Sequence, residues 1–351
     1  MIPTTARPAP VVSSGRRPAL RRGRLITGLV VGLAALALAS AASLVFGSRV
    51  VNLQEILDGL FSGDPSTYGA TAVAQRVPRT LLAILVGASL GLSGAVMQGL
   101  TRNPIAEPGL LGVNLGAALA VVLGITVAGI TTMSEYIGYA LVGAALAAVV
   151  VYAVGSTGRE GATPLKLALA GAATSAILAS LVNAVLLLRT DVFETFRFWQ
   201  VGGVGGAHAT EIATVAPVAA LGAVLAIASS RNLDVLALGD DVARGLGIRI
   251  GGARLLAALA AVLLAGSATA IAGPIGFLGL VVPHAARFFT GPAHAWLLPY
   301  SAVFGAALLL VADVVGRVVA RPADLQVGIV TAVIGAPVFL LLLRRAKVRE
   351  L

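Results

Sequence analysis

The sequence predicts an all-α integral membrane protein, and three observations carry that prediction. Of 351 residues, 58% are hydrophobic and only 11% charged, and the mean hydropathy is +0.96. Ordinary soluble domains carry about 25% charged residues, so lipid rather than water must solvate most of this chain. The apolar residues also gather into long runs separated by short polar stretches, the pattern of repeated membrane crossings.

Residues 1–24 open the chain with Pro, Ser, Ala and six arginines but no acids, which reads as a disordered cytoplasmic tail. The transmembrane domain predicted over 25–343 begins with an apolar run at 25–47, long enough to cross a ~30 Å hydrocarbon core. Ala39-Ser40-Ala41 resembles a signal-peptide cleavage site, but apolar character continues through Leu44-Val45-Phe46 and favours an uncleaved helix. Residues 50–75, with Asp58, Asp64 and Pro65, read as an external loop holding one short helix. Further spans are predicted over 80–101, 109–131, 136–155, 165–188, 209–229, 253–272, 274–289, 297–316 and 327–343. That makes ten transmembrane helices, or nine if the short, Gly/Pro-interrupted run at 274–289 does not cross. The tail 344–351 is basic like the N-terminus, so both termini are expected in the cytoplasm and ten is favoured. The arrangement puts 18 of the 25 Lys and Arg inside and 7 outside.

It also places the longest polar interruption, residues 231–254, in the cytoplasm. Asn232 or Asp234 can cap a first helical turn running through Leu238, and Gly239 breaks it. Asp240 can cap a second helix, which Gly245 or Gly247 can end in a left-handed conformation. Leu236, Leu238, Val242 and Leu246 would give the pair an apolar face. An ordered interhelical loop is the plain reading; a docking element for a soluble partner is the sharper one.

Gly and Ala crowd the spans, as in VGASLGLSGAVMQG (86–99), which fits close helix packing. LAGSATAIAGPIGF (264–277) echoes that stretch in the opposite direction, a weak sign of two inverted halves. The chain has no cysteine, which excludes disulfides and thiolate chemistry. The net charge of +10 does not mark a nucleic-acid binder, because the arginines sit at span ends rather than among aromatics on one face. His208, His284 and His294 have no carboxylate or nucleophile at zinc or triad spacing, so no metal site and no catalytic residue is expected. The only lysines, Lys166 and Lys347, follow Leu165 and Ala346, so no Walker A loop exists. Asp313, toward an outer span end, is the nearest thing to an intramembrane acid. Ion-coupled secondary transport, the alternative of another class, is therefore disfavoured.

Four separated stretches then carry a resemblance. They are RVPRTLLAILVGASLGLSGAVMQGLTRNPIAEPGLLGVNLGA (76–117), LDVLALGDDVARGLGIR (233–249), GPIGFLGLVVPHAAR (273–287) and VGIVTAVIGAPVFLLLLRR (327–345). In this order they resemble the FecCD/BtuC-type permeases of iron–siderophore and cobalamin ABC importers, over nearly all the chain after residue 25. RNPIAEPGLLGVN, FRFWQVGG and GSATAIAGPI are most similar to the ferric enterobactin branch. The arginine-rich tail is not part of the pattern.

The resemblance implies the type II ABC importer permease architecture, with ten helices per subunit. It implies a second permease subunit, identical or paralogous, across a central path. Two cytoplasmic ATPases would grip loop 231–254 through Leu236, Leu238, Gly239, Asp240, Asp241, Arg244, Leu246 and Gly247. ATP and magnesium would belong to those ATPases, with no cofactor bound by this chain. Arg76, Arg79 and Arg317 are the implied outer seat for glutamates of a periplasmic or lipid-anchored binding protein, snorkelling to headgroups being the alternative. Met97, Gln98, Asn103 and Asn114 are implied path or gate residues, although Asn103-Pro104 also reads as a helix breaker. The expected function is import of a ferric siderophore, of catecholate type, across the bacterial inner membrane. Haem or cobalamin is the alternative cargo.

Overall fold

In the computed structural model, described for residues 22–47, 50–61, 68–158, 162–206 and 208–347, every regular element is helical. In order these are α1 (Arg22–Val45), α2 (Leu53–Phe61), α3 (Tyr68–Thr101), a 3₁₀ turn (Pro108–Leu111), α4 (Val113–Leu123) with a π-helical extension (Gly124–Ala128), α5 (Met133–Gly155) and α6 (Pro164–Leu188). Then come α7 (Thr190–Val201), α8 (Ala209–Leu236), α9 (Asp240–Gly245), α10 (Ile250–Ala272), α11 (Leu278–Thr290), α12 (His294–Val319) and α13 (Val327–Lys347). The tail expected over 1–24 falls almost wholly outside the described residues, as does the end of the tail expected over 344–351.

Among the described residues seven helices (α1, α3, α5, α6, α8, α10 and α12) are long and apolar enough to cross a membrane, and Val113–Ala128 and the Val327–Leu341 part of α13 are shorter apolar segments. The bundle is organised around α3, which packs on α12, α10, α11 and α8. Its apolar window is 78% buried, against 11% in α1 and α6. The glycines of 86–99 explain the approach: a Cβ on Gly87 would strike the backbone of Gly305, and one on Gly94 the carbonyl of Gly279. Backbones this close gain dispersion contact where lipid gives helices no hydrophobic reason to associate.

Several boundaries differ from the sequence expectation, each for a physical reason. The loop expected over 50–75 contains α2 but also the first turns of α3, whose Pro78 is tolerated inside the helix. The span expected over 109–131 is instead a 3₁₀ turn, a bend at Gly112 (φ 72°) and a short α-to-π helix ending at Gly129 (φ 65°). The run 274–289 contributes only the 13 residues of α11, because Gly273 (φ 70°) ends α10 and non-helical chain follows. The described helices include α7, absent from the expected spans; it buries Val192, Phe196 and Trp199 on one face.

Candidate functional site

The segment 231–254 is not a pair of capped helices. Residues 231–236 continue α8 for two turns beyond the expected span end, because Leu233 and Leu236 keep a buried apolar face on the helix. Asp234 caps a different element: its carboxylate accepts from the backbone amide and Nδ1 of His294, at 2.8 and 2.7 Å, at the start of α12. Gly239, at φ 108°, makes the break and is itself the N-cap of α9, with no side-chain cap. Gly247, at φ 81°, reverses the chain after α9 as expected.

Asp240 does not cap α9 either. Its carboxylate receives Nη2 of Arg254 on both oxygens, at 3.0 and 2.9 Å, and Nη2 of Arg102, which stands at the end of α3. Burial alone would raise the Asp240 carboxyl, but the two guanidiniums hold it below the usual carboxylate range. Arg254 reaches on to the Ala162 carbonyl at 2.9 Å, so α9, α3, α10 and the α5–α6 connection meet at one carboxylate. Arg102 itself sits at φ 51°, a left-handed conformation unfavourable for a residue that carries a Cβ. Of the expected apolar face, Leu238, Val242 and Leu246 are exposed, whereas Leu236 is buried with Ala243 and Ala253 under α9. Asp241 and Arg244 form an exposed pair at 2.8 Å on the same helix.

At the opposite end, Arg79 donates Nε and Nη2 to Asp313 Oδ1, at 3.0 and 2.8 Å, and Nη1 to Asp324 at 2.6 Å. Arg317, one turn past Asp313, holds the other oxygen at 2.9 Å. Arg76 also donates to the carbonyls of Leu44 and Val45, and Arg317 to those of Ser43 and Phe46. These are terminal carbonyls of α1, which have no partner within their own helix. Asp313 is 0%, Arg317 2% and Arg76 7% exposed. The three arginines are thus neither free surface cations nor snorkels to headgroups. They tie α1, α3 and α12 together, and line a cavity of about 620 Å³ with His208 and Asp324.

The expected path residues are scattered. Met97 and Gln98 are buried in the core, because α3 is central rather than peripheral. Gln98 donates to the carbonyls of Gly279 and Leu280, at 3.3 Å each, and accepts from Arg287. Asn103 is exposed and accepts from the Ile105 amide at 3.1 Å, the turn expected of a helix breaker. Asn114 accepts from Thr269 at 2.8 Å. The 3₁₀ turn begins after Glu107, unassigned in the sequence, whose carboxyl is pushed up by burial. Arg102 and Arg254 were also missed, their available signal being a charged residue abutting an apolar run, and Asp234 and His294 were named without their pairing.

Comparison with known proteins settles what this bundle is. The FecCD transport family matches residues 35–345. The chain belongs to that family. The ferric enterobactin transport system permease protein FepD of Escherichia coli (strain K12) is 43% identical over 328 residues, covering 93% of this chain and 97% of that protein. The Fe(3+)-citrate import system permease protein YfmD of Bacillus subtilis (strain 168) is 40% identical over 335 residues, with 95% and 98% covered. A solved inward-facing conformation of a metal-chelate type ABC transporter shares 26% identity and superposes with a TM-score of 0.80, over 91% of this chain and 99% of that one. This FecCD member is accordingly a multi-pass membrane permease of the ABC-transporter kind.

Proposed function

We propose that this FecCD permease is the transmembrane subunit of an ATP-driven importer of ferric siderophores, catecholate ones first, in the bacterial inner membrane. Ten crossings with both termini in the cytoplasm put α9 inside and α2 and α7 outside. A second permease copy or paralogue faces it across the path. The cytoplasmic ATPase subunits hydrolyse ATP and hold its magnesium, and their closure is passed to this chain through α9. The observation that carries the reading is the exposed apolar surface formed by Val242 on the six-residue α9 and by Leu238 and Leu246 at its two ends. An apolar face in water calls for a partner, and the Asp240 contacts hold this one in place. Gly239, Asp241, Arg244 and Gly247 shape its edges. At the outer end, the cavity lined by Arg76, Arg79 and Arg317 is the seat for acidic side chains of a periplasmic or lipid-anchored binding protein. Asn103, at the α9 end, and Asn114, held by Thr269 near the far end of α10, border the path, and Met97 and Gln98 support it from the core. The kinship of sequence with FepD supports the cargo class.

The test is deletion of this chain followed by uptake of iron-55 presented as a catecholate, a hydroxamate, citrate or haem. Selective loss of catecholate uptake, restored by the intact chain and not by Leu246→Asp, is expected. Loss of haem uptake alone would overturn the cargo, and full restoration by Leu246→Asp would overturn the docking role of α9.

A further inference from the structure

A second cavity, of about 380 Å³, opens at the α9 end of the bundle between the last turn of α5, the α5–α6 connection, α9 and the first turn of α10. Arg244, Arg249 and Arg254 line it, with Gly251, Tyr152 and Asp240. Among its described lining residues three are arginines and Asp240 is the only acid, shared with Arg102 outside the cavity; Arg244 is paired with Asp241. Arg254 is 95% buried by its 5% exposure, and its Nε is buried with no hydrogen-bond partner. Arg249 makes no ion pair among the described residues.

The wall of this cavity includes the start of α10, a helix of 23 residues whose N-cap, Arg249, offers no side-chain acceptor. The amides of Ile250, Gly251 and Gly252 therefore face outward unsatisfied, with the positive end of the helix dipole behind them. Nothing lies within 4 Å of where a Cβ would stand on Gly251 or Gly252, so an oxyanion can approach the backbone directly. Guanidiniums and helix amides together are the donor set that phosphate oxygens take.

Depth identifies the source of the phosphate. Tyr152 lies in the last turn of one membrane-length helix and Ile250 opens another, so the cavity sits where two spans leave the hydrocarbon, at headgroup level. From Gly251 an exposed apolar line runs along α10 through Leu255 and Leu259, at four-residue spacing, where an acyl chain would lie. We infer that this cavity binds the phosphate of an acidic phospholipid, its headgroup on Arg249, Arg254 and the first amides of α10 and its chains along Leu255 and Leu259. Basic pockets between spans are the usual form of such sites. A lipid so placed touches α10 beside the Asp240 contact, and the inference stands whether or not α9 docks an ATPase.

The test uses the full-length chain, delipidated in detergent, and reads lipid retention by native mass spectrometry together with the thermal unfolding midpoint. Phosphatidylglycerol, phosphatidylcholine and inorganic phosphate are titrated separately. The variants are Arg249→Gln, which removes an exposed, unpaired side chain, and Gly251→Leu, which fills open space over the amides. Phosphatidylglycerol should bind at least about tenfold more tightly than phosphatidylcholine, and each variant should erase most of that preference. Equal binding of the two lipids, or an unchanged preference in Arg249→Gln, would overturn the site even if Gly251→Leu fails to fold. Saturation by inorganic phosphate as tight as by phosphatidylglycerol would overturn the lipid source and leave a free phosphate as the ligand.

Discussion

Both ends of this bundle carry a carboxylate shared by two arginines, and the two clusters differ in everything but that chemistry. Asp313 is fully buried, lies on α12, and holds Arg79 of α3 and Arg317 of its own helix. Asp240 is 28% exposed in its side chain, lies on the short α9 between two glycines at positive φ, and holds Arg102 and Arg254. In the first cluster all three groups stand on long spans, so none can leave without moving a whole helix. In the second, the acid rides on an element that two glycine backbones can re-aim. Burial and connection, rather than the ion pair itself, separate a fixed clasp from a latch.

The largest expected effect breaks the fixed clasp. Asp313→Ala leaves Arg317 without a carboxylate in the interior and Arg79 with Asp324 alone, a loss of about 3–5 kcal/mol. Monodisperse yield in detergent and the unfolding midpoint should both collapse; a variant as stable as the parent would show that water or another group already screens these arginines. Next comes the latch: Asp240→Asn keeps an amide oxygen for the buried Arg254 and should cost less stability than Asp313→Ala, yet reduce uptake about tenfold or more. A stability loss matching that of Asp313→Ala would erase the distinction drawn above.

The pH response sharpens it further. The Asp240 carboxyl lies below its usual range, so its contribution to stability is present above the unfolded value of about 4 and is lost as pH falls through the lower folded value. Uptake in sealed vesicles should therefore show no Asp240-dependent change between about pH 5 and 8. A midpoint near neutrality that disappears in Asp240→Asn would contradict this. The smallest effect is expected from a third pair, Arg189 with Asp191, which is fully exposed. Its Asp191 is lowered to about 2, first by the Arg189 hydrogen bond, so whatever it contributes fades only below the unfolded value of about 4. Arg189→Gln should leave uptake and the unfolding midpoint at neutral pH unchanged within error, completing a series in which burial sets the size of the response.

Legibility followed the same line. Hydropathy reports which residues sit in lipid, so the membrane class and most spans were readable. It does not report helicity in water, which is why α8 was cut at 229 when it runs through Leu236, and why α7 went unmarked. The break at Gly239 was readable because φ 108° suits almost no other residue. The partner of Asp240 was not, since Arg102 lies 138 positions away and only the assembled bundle brings it near. What Arg76 and Arg317 touch was unreadable for a related reason. An arginine flanking a span ordinarily reaches water, and nothing local shows that the end of α1 will offer it carbonyls instead.

Gly87, Gly91 and Gly94 set α3 with bare main chain against α12 and α11. Most helices meet through a layer of leucines, which yields to small displacements by turning a χ angle. Here there is no such cushion, and main chain on main chain behaves as a hard bearing. Helix α3 has 34 residues, a strut of about 50 Å. Arg76 and Arg79 are fixed near one end and Arg102 at the other, so a tilt imposed at one terminus arrives at the other with little lost between.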